Sequence, residues 1–146
     1  MKSNRLIFNK YKIRKKIYQS RLSMVYEGIS IKDNELVAIK FEKRNKEDLL
    51  MKEASFLLDL KGFGIPKIIS FGKNNIYNIL VEELLGLSLY HLWDFKKQKD
   101  MKIKNVCMIA LQALNRLEFI HSKHIIHGDI KPTNFLIGRK NKEIIY

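Results

Sequence analysis

Cysteine is almost missing from this chain. Cys107 is the one thiol in 146 residues, which excludes an intrachain disulfide and a zinc site built on cysteines, and fits a reducing compartment. The expected location is therefore intracellular, cytoplasmic or nuclear. No apolar run is long enough to cross a bilayer, and Met1-Lys2-Ser3-Asn4 leads into mixed charge rather than a secretory signal; no membrane partner is expected. Arginine is scarce beside lysine, 6 against 22. Specific readers of phosphates or bases favour Arg, and no stacking-aromatic pattern accompanies the charge, so no specific nucleic acid is expected either. Internal repeats and low-complexity linkers are also absent.

What remains is a chain that is 46% hydrophobic, a globular composition. Its net charge of +13 attracts acidic or phosphorylated partners, although the scattered lysines also read as an ordinary solvated surface. Tyr11 to Gln19, Met24 to Ile31 and Glu35 to Glu42 read as strands, the third with Val37, Ile39 and Phe41 on one face. Lys32-Asp33-Asn34 supplies the turn before it. Glu47 to Leu60 carries apolar residues at helical spacing, with Gly62 and Gly64 after it. Lys67 to Phe71 and Tyr77 to Glu82 read as two more strands. The first half is thus expected to be a five-stranded antiparallel sheet with one helix, in an α+β fold. Ser88 to Phe95 reads as a short helix and Lys102 to Ser122 as a long one. The long helix is apolar on most of its sides, the pattern of a buried helix.

One loop carries chemistry. His127-Gly128-Asp129-Ile130-Lys131-Pro132-Thr133-Asn134 places an Asp, a Lys two positions on and an Asn five positions on, in a segment stiffened because Pro132 restricts Lys131 to extended geometry. Phosphoryl transfer from ATP uses such a set: a carboxylate to orient the attacking hydroxyl, a cation to offset charge on the transferred group, and an amide oxygen to hold a metal ion.

Together with this loop, Val37-Ala38-Ile39-Lys40, Glu53, Gly64-Ile65-Pro66, Glu83-Leu84-Leu85-Gly86-Leu87-Ser88-Leu89, Ile120-His121-Ser122-Lys123 and Asn134-Phe135-Leu136-Ile137-Gly138 resemble the first half of a protein kinase, most closely the casein kinase I family, in order and spacing. The resemblance implies an N-lobe over residues 1–85 (five strands and the helix called C) and the start of a helical C-lobe over residues 86–146, with helices D and E and the catalytic loop. It implies that Lys40 grips the α- and β-phosphates of ATP, held by Glu53. Asp129 orients the substrate hydroxyl, Lys131 contacts the γ-phosphate and Asn134 ligates Mg2+. Ile17, Val25, Ala38 and Leu136 sandwich the adenine, and backbone groups of Glu83 and Leu85 bond its edge. The implied reaction is transfer of the ATP γ-phosphate to protein Ser/Thr hydroxyls.

The sequence departs from that family in four places. Tyr18, Ser20 and Ser23 stand where glycines are expected in the loop over the phosphates. Glu82 falls at the gatekeeper position behind the adenine, usually apolar, and must be paired, neutral or turned away; Lys40 is the expected partner, in competition with Glu53. Gly128 replaces the usual Arg, as in the vaccinia-related kinases. Finally, the family's strand matching Glu143-Ile144-Ile145-Tyr146 leads to Asp-Phe-Gly, a triplet this sequence does not contain. An N-terminal fragment without turnover of its own is therefore expected, with the remaining C-lobe covering helix 102–122. The alternative is a pseudokinase or decayed remnant acting as a binding module.

Overall fold

Alternating side chains build the centre of the sheet. A computed structural model describes residues 6–44, 47–93 and 102–146. Its elements are β1 (Tyr11–Gln19), β2 (Ser23–Ser30), β3 (Leu36–Lys43), α1 (Leu49–Asp59), β4 (Ile68–Lys73), β5 (Tyr77–Glu83), α2 (Leu89–Leu92) and α3 (Ile103–Ser122). The strands pair antiparallel in the order β1-β2-β3-β5-β4, the expected five-stranded sheet. Val37, Ile39 and Phe41 of β3 and Ile79 and Val81 of β5 are buried on one face with Tyr11, as a period of two requires.

The opposite face is mixed, and it holds α1. Leu80 packs on Leu50 and Ala54; of the polar residues between, Lys40, Glu42 and Asn78 reach the helix or its N-cap by hydrogen bonds and an ion pair, and Glu82 pairs with Lys40. No side chain of α1's own N-cap residue closes its first turn; Asp48 sits at φ 45°, ψ 46°. Glu42 does so from β3 instead, its Oε2 accepting the Leu50 N–H at 3.0 Å. The fully buried Asn78 donates to Glu42 Oε2 at 3.3 Å and to Asp48 Oδ1 at 3.0 Å. The helix starts two residues later than its apolar spacing suggests, and it ends at Leu60 without a left-handed glycine. At the sheet edge, β1 exposes eight of its nine residues, among them Lys12, Arg14, Lys15 and Lys16. Its register against β2 shifts twice, between Ile13 and Lys15 and between Lys16 and Tyr18.

The chain divides into two compact units, residues 1–61 with 66–84, and 62–65 with 85–146. In the second, α2 is shorter than the expected Ser88–Phe95 helix, whose last two positions lie outside the described residues. Ser88 caps it by accepting the His91 N–H. α3 is held by its polar side chains. Gln112 Nε2 donates to the Glu143 carbonyl at 2.8 Å, Gln112 Oε1 accepts the Ile145 N–H at 2.9 Å, and Arg116 Nε donates to the Ile145 carbonyl at 3.2 Å. The Arg116 guanidinium also lies 4.7 Å over the Phe63 ring. Gly64 has φ +75°, and a Cβ there would overlap Arg116 Nε. Phe135–Ile137 and Glu143–Tyr146, the latter matching a strand of the family, form only the isolated bridges Ser88 to Leu136 and Ile137 to Ile145. Within the described residues α3 is mostly uncovered: only Arg116 and Ile120 are buried, and Ile103, Leu111 and Leu114 are largely exposed.

Candidate functional site

Each unit gathers one group of the expected site residues. In the first, Lys40 projects from β3 on the face that carries α1. Its Nζ lies 2.8 Å from Glu53 Oε1 of α1 and 2.9 Å from Glu82 Oε1 of β5. The two carboxylates share the lysine instead of excluding one another. They differ in setting: the Glu53 side chain keeps 42% of its exposure and the Glu82 side chain 8%. Burial favours the neutral form of Lys40, but Glu82 and then Glu53 outweigh it and hold the ammonium above the usual lysine range. Burial pushes Glu82 up, with Lys40 opposing and Glu53 and Glu83 adding to the rise. Glu82 Oε2 is buried with no hydrogen-bond partner among the described residues.

Ile17, Val25 and Ala38 belong to the same unit. Ala38 is buried, Val25 half-buried and opposite Lys40 in the β2–β3 register, and Ile17 exposed on β1. Glu83 closes β5; its N–H donates to the Lys67 carbonyl and its Oε1 accepts the Lys67 N–H. The β1–β2 turn closes without glycine. Ser20 N–H donates to the Ser23 carbonyl at 2.8 Å, while Ser20 Oγ accepts the N–H groups of Leu22 at 3.3 Å and Ser23 at 3.0 Å. No residue of that turn has positive φ. Ser20 therefore occupies the main-chain donors of Leu22 and Ser23. The Ser-Arg-Leu-Ser spacing, a serine whose hydroxyl can reach back-bone N–H groups two and three residues on, was the available signal.

In the second unit the loop after α3 binds itself together. Lys131 Nζ lies 2.7 Å from Asp129 Oδ2, and Asn134 Nδ2 donates to the same oxygen at 2.9 Å and to the Asp129 carbonyl at 2.8 Å. The hydrogen bonds from Lys131 and then Asn134 hold the Asp129 carboxyl below the usual range, so it is ionised at neutral pH. Asp129 N–H donates to His127 Nδ1 at 3.2 Å, and the His127 ring stacks on Phe135. Gly128 has φ +74° with open space around it; the residue standing where Arg is usual is one that takes this backbone without strain. Leu136 exchanges both main-chain hydrogen bonds with Tyr146. Leu85 is half-buried at the start of the unit's main segment.

The donor set suits one magnesium ion only in part. With both Asn134 amide hydrogens on Asp129, its oxygen is the atom left to meet a cation, and Mg2+ held by one or two protein oxygens plus phosphates is the usual arrangement. Among the described residues, no group of three His, Cys, Asp or Glu could hold a metal ion.

A family model described as the protein kinase domain matches residues 11–145. Casein kinase I homolog 2 of Schizosaccharomyces pombe is 36% identical over 93% of this chain and 32% of its own length. Casein kinase I homolog 1 of the same yeast is 38% identical over 98% of this chain and 33% of its own length. The chain spans about a third of the length of the curated relatives it matches.

Proposed function

Because the chain belongs to the protein kinase family, on its casein kinase I branch, we propose that it is the nucleotide-gripping and catalytic-loop portion of a Ser/Thr protein kinase. The observation that carries this reading is the Asp129–Lys131–Asn134 cluster, three functional groups of phosphoryl transfer hydrogen-bonded to one another in one loop. Asp129, kept ionised, accepts the proton of the attacking hydroxyl. Lys131 swings from Asp129 to the γ-phosphate, and Asn134 offers its amide oxygen to magnesium, which when bound offsets the charge of the phosphates. Lys40, steadied by Glu53, holds the α- and β-phosphates. Ile17, Val25, Ala38 and Leu136 contact the adenine, and main-chain groups of Glu83 and Leu85 its edge. The substrate is a protein hydroxyl, near acidic or phosphorylated residues that the net charge of +13 favours.

Calorimetric titration with ATP and magnesium tests the reading. Binding is expected, weakened by Lys40→Met about tenfold or more, which corresponds to one lost charge-assisted contact. Asp129→Asn leaves binding within about twofold, since that side chain is assigned to the hydroxyl. These 146 residues contain no Asp-Phe-Gly triplet, so no transfer of labelled phosphate to an acidic Ser peptide is expected from them by themselves.

A second reading, a binding module that has left catalysis behind, is favoured by one observation: the Ser20 hydroxyl fills the turn donors of Leu22 and Ser23. The absence of any nucleotide binding, with the fold intact, would select it.

A further inference from the structure

Two carboxylates on one lysine leave an excess of negative charge where a phosphate is to bind. Lys40 answers both Glu53 at 2.8 Å and Glu82 at 2.9 Å, so the cluster holds one cation against two anions. The two cannot be exchanged for one another. Glu53 is partly in water and can stay ionised if its lysine moves. The Glu82 side chain is only 8% exposed, and its second oxygen has no hydrogen-bond partner among the described residues. Lys40 is what stabilises that buried charge.

We propose that Glu82 is a positioning residue for Lys40 and couples nucleotide binding to a proton: when a phosphate draws Lys40 away, Glu82 takes one proton from solvent and becomes a neutral carboxylic acid. The inference rests on the phosphate-gripping role of Lys40 proposed above.

Among the described residues, Lys40 is the group that compensates Glu82. β3 faces it with Lys40 and, in register, Ala38; α1 contributes Glu53; β4 contributes Ile68 in register. Glu83, its neighbour on β5, is a further carboxylate, turned to the Lys67 N–H. Of the charged groups that act on Glu82, Lys40 is the cation, and Glu53 and Glu83 are carboxylates; Lys67, beside Ile68, meets Glu83 through its main chain. A buried carboxylate without a partner is costlier than its neutral form. Glu82 is already raised by burial while Lys40 is present, and losing the lysine raises it further. The sign follows by linkage. The bound state holds more protons than the free state, so affinity is greatest at low pH and falls as pH rises, by at most about tenfold per pH unit for one proton.

The test is calorimetric titration of the full chain with ATP and magnesium between about pH 6.5 and 8.5, a range wide enough to read the slope of affinity against pH. Buffers of differing ionisation enthalpy report the protons taken up. Glu82→Gln keeps the shape and removes the titration, and the protons of the nucleotide itself cancel in the comparison of the two proteins. The expected result is an uptake approaching one proton more in the parent than in Glu82→Gln, with the variant binding about tenfold tighter at the upper end of the range. Glu82→Met, an apolar side chain of similar length, is expected to behave as Glu82→Gln does; it keeps the test open if the amide disturbs folding, with thermal melting as the check. Equal proton counts and parallel pH profiles in parent and variants, all binding nucleotide, would overturn the coupling and leave the nucleotide site standing. Absence of binding in folded parent and variants alike would overturn both.

Discussion

Gly64 and Gly128 have nearly the same left-handed backbone, φ +75° and +74°, but different neighbours. Around Gly128 nothing lies within reach of an added Cβ, so Gly128→Ala is expected to cost only the backbone term, about 1 kcal/mol. At Gly64 the Cβ would overlap Arg116 Nε, and Arg116 must then leave the Ile145 carbonyl and the Phe63 ring. Gly64→Ala is expected to cost about 3 kcal/mol, adding a lost hydrogen bond to a charged, buried group. Urea unfolding of the two variants compares them directly; equal losses would show that Arg116 moves aside freely. The same contrast explains what could be read at the level of residues. Glycine in Gly64-Ile65-Pro66 is visible in a sequence, whereas the distant side chain that requires it is not.

At the scale of elements, α1 shows why a helix can be legible and its start not. Its apolar spacing marks the helix, but its cap is Glu42, eight residues earlier in sequence from Leu50 and on another element. Glu42→Ala is expected to destabilise the chain by about 2 kcal/mol, the upper end for a lost cap because Asn78 also loses an acceptor. Faster hydrogen exchange at the Leu50 amide should accompany it, and a uniform change across the sheet instead would contradict the capping role. The strands of the sheet were legible because one face is continuously apolar, which a period of two reveals. Phe135–Ile137 and Ile144–Tyr146 are apolar too, yet they pair with each other over too few residues to form more than bridges. For the candidate site, the Lys40–Glu53 contact and the partnership of Glu82 with Lys40 followed from motif and burial. That one lysine serves both carboxylates at once did not, because spacing gives no distances. The self-bonded turn at Ser20 escaped for the same reason.

For the whole molecule, the exposed apolar residues of α3 and the high net charge act against each other. Ile103, Leu111 and Leu114 present apolar surface, which favours association, while a charge of +13 keeps copies apart at low salt. The 146-residue chain is expected to bind a hydrophobic dye and to self-associate more as salt is raised from about 0.05 to 0.5 M, where screening shortens to a few ångström. Leu111→Glu with Leu114→Glu should suppress both effects; undiminished dye binding would place the apolar surface elsewhere. The sheet carries its own protection on the opposite scale. Among the described strands β1 lies at the edge of the sheet, bridged by Ile7 at Tyr11, and an edge strand is a template on which a second chain could add a strand. Lys12, Arg14, Lys15 and Lys16 along it, with two breaks in its register, make the template both repulsive to its own copies and irregular in pitch. The basic edge thus works as a gatekeeper against cross-β growth, a role in which any scattered set of positive charges would serve, independent of which partner the chain recognises.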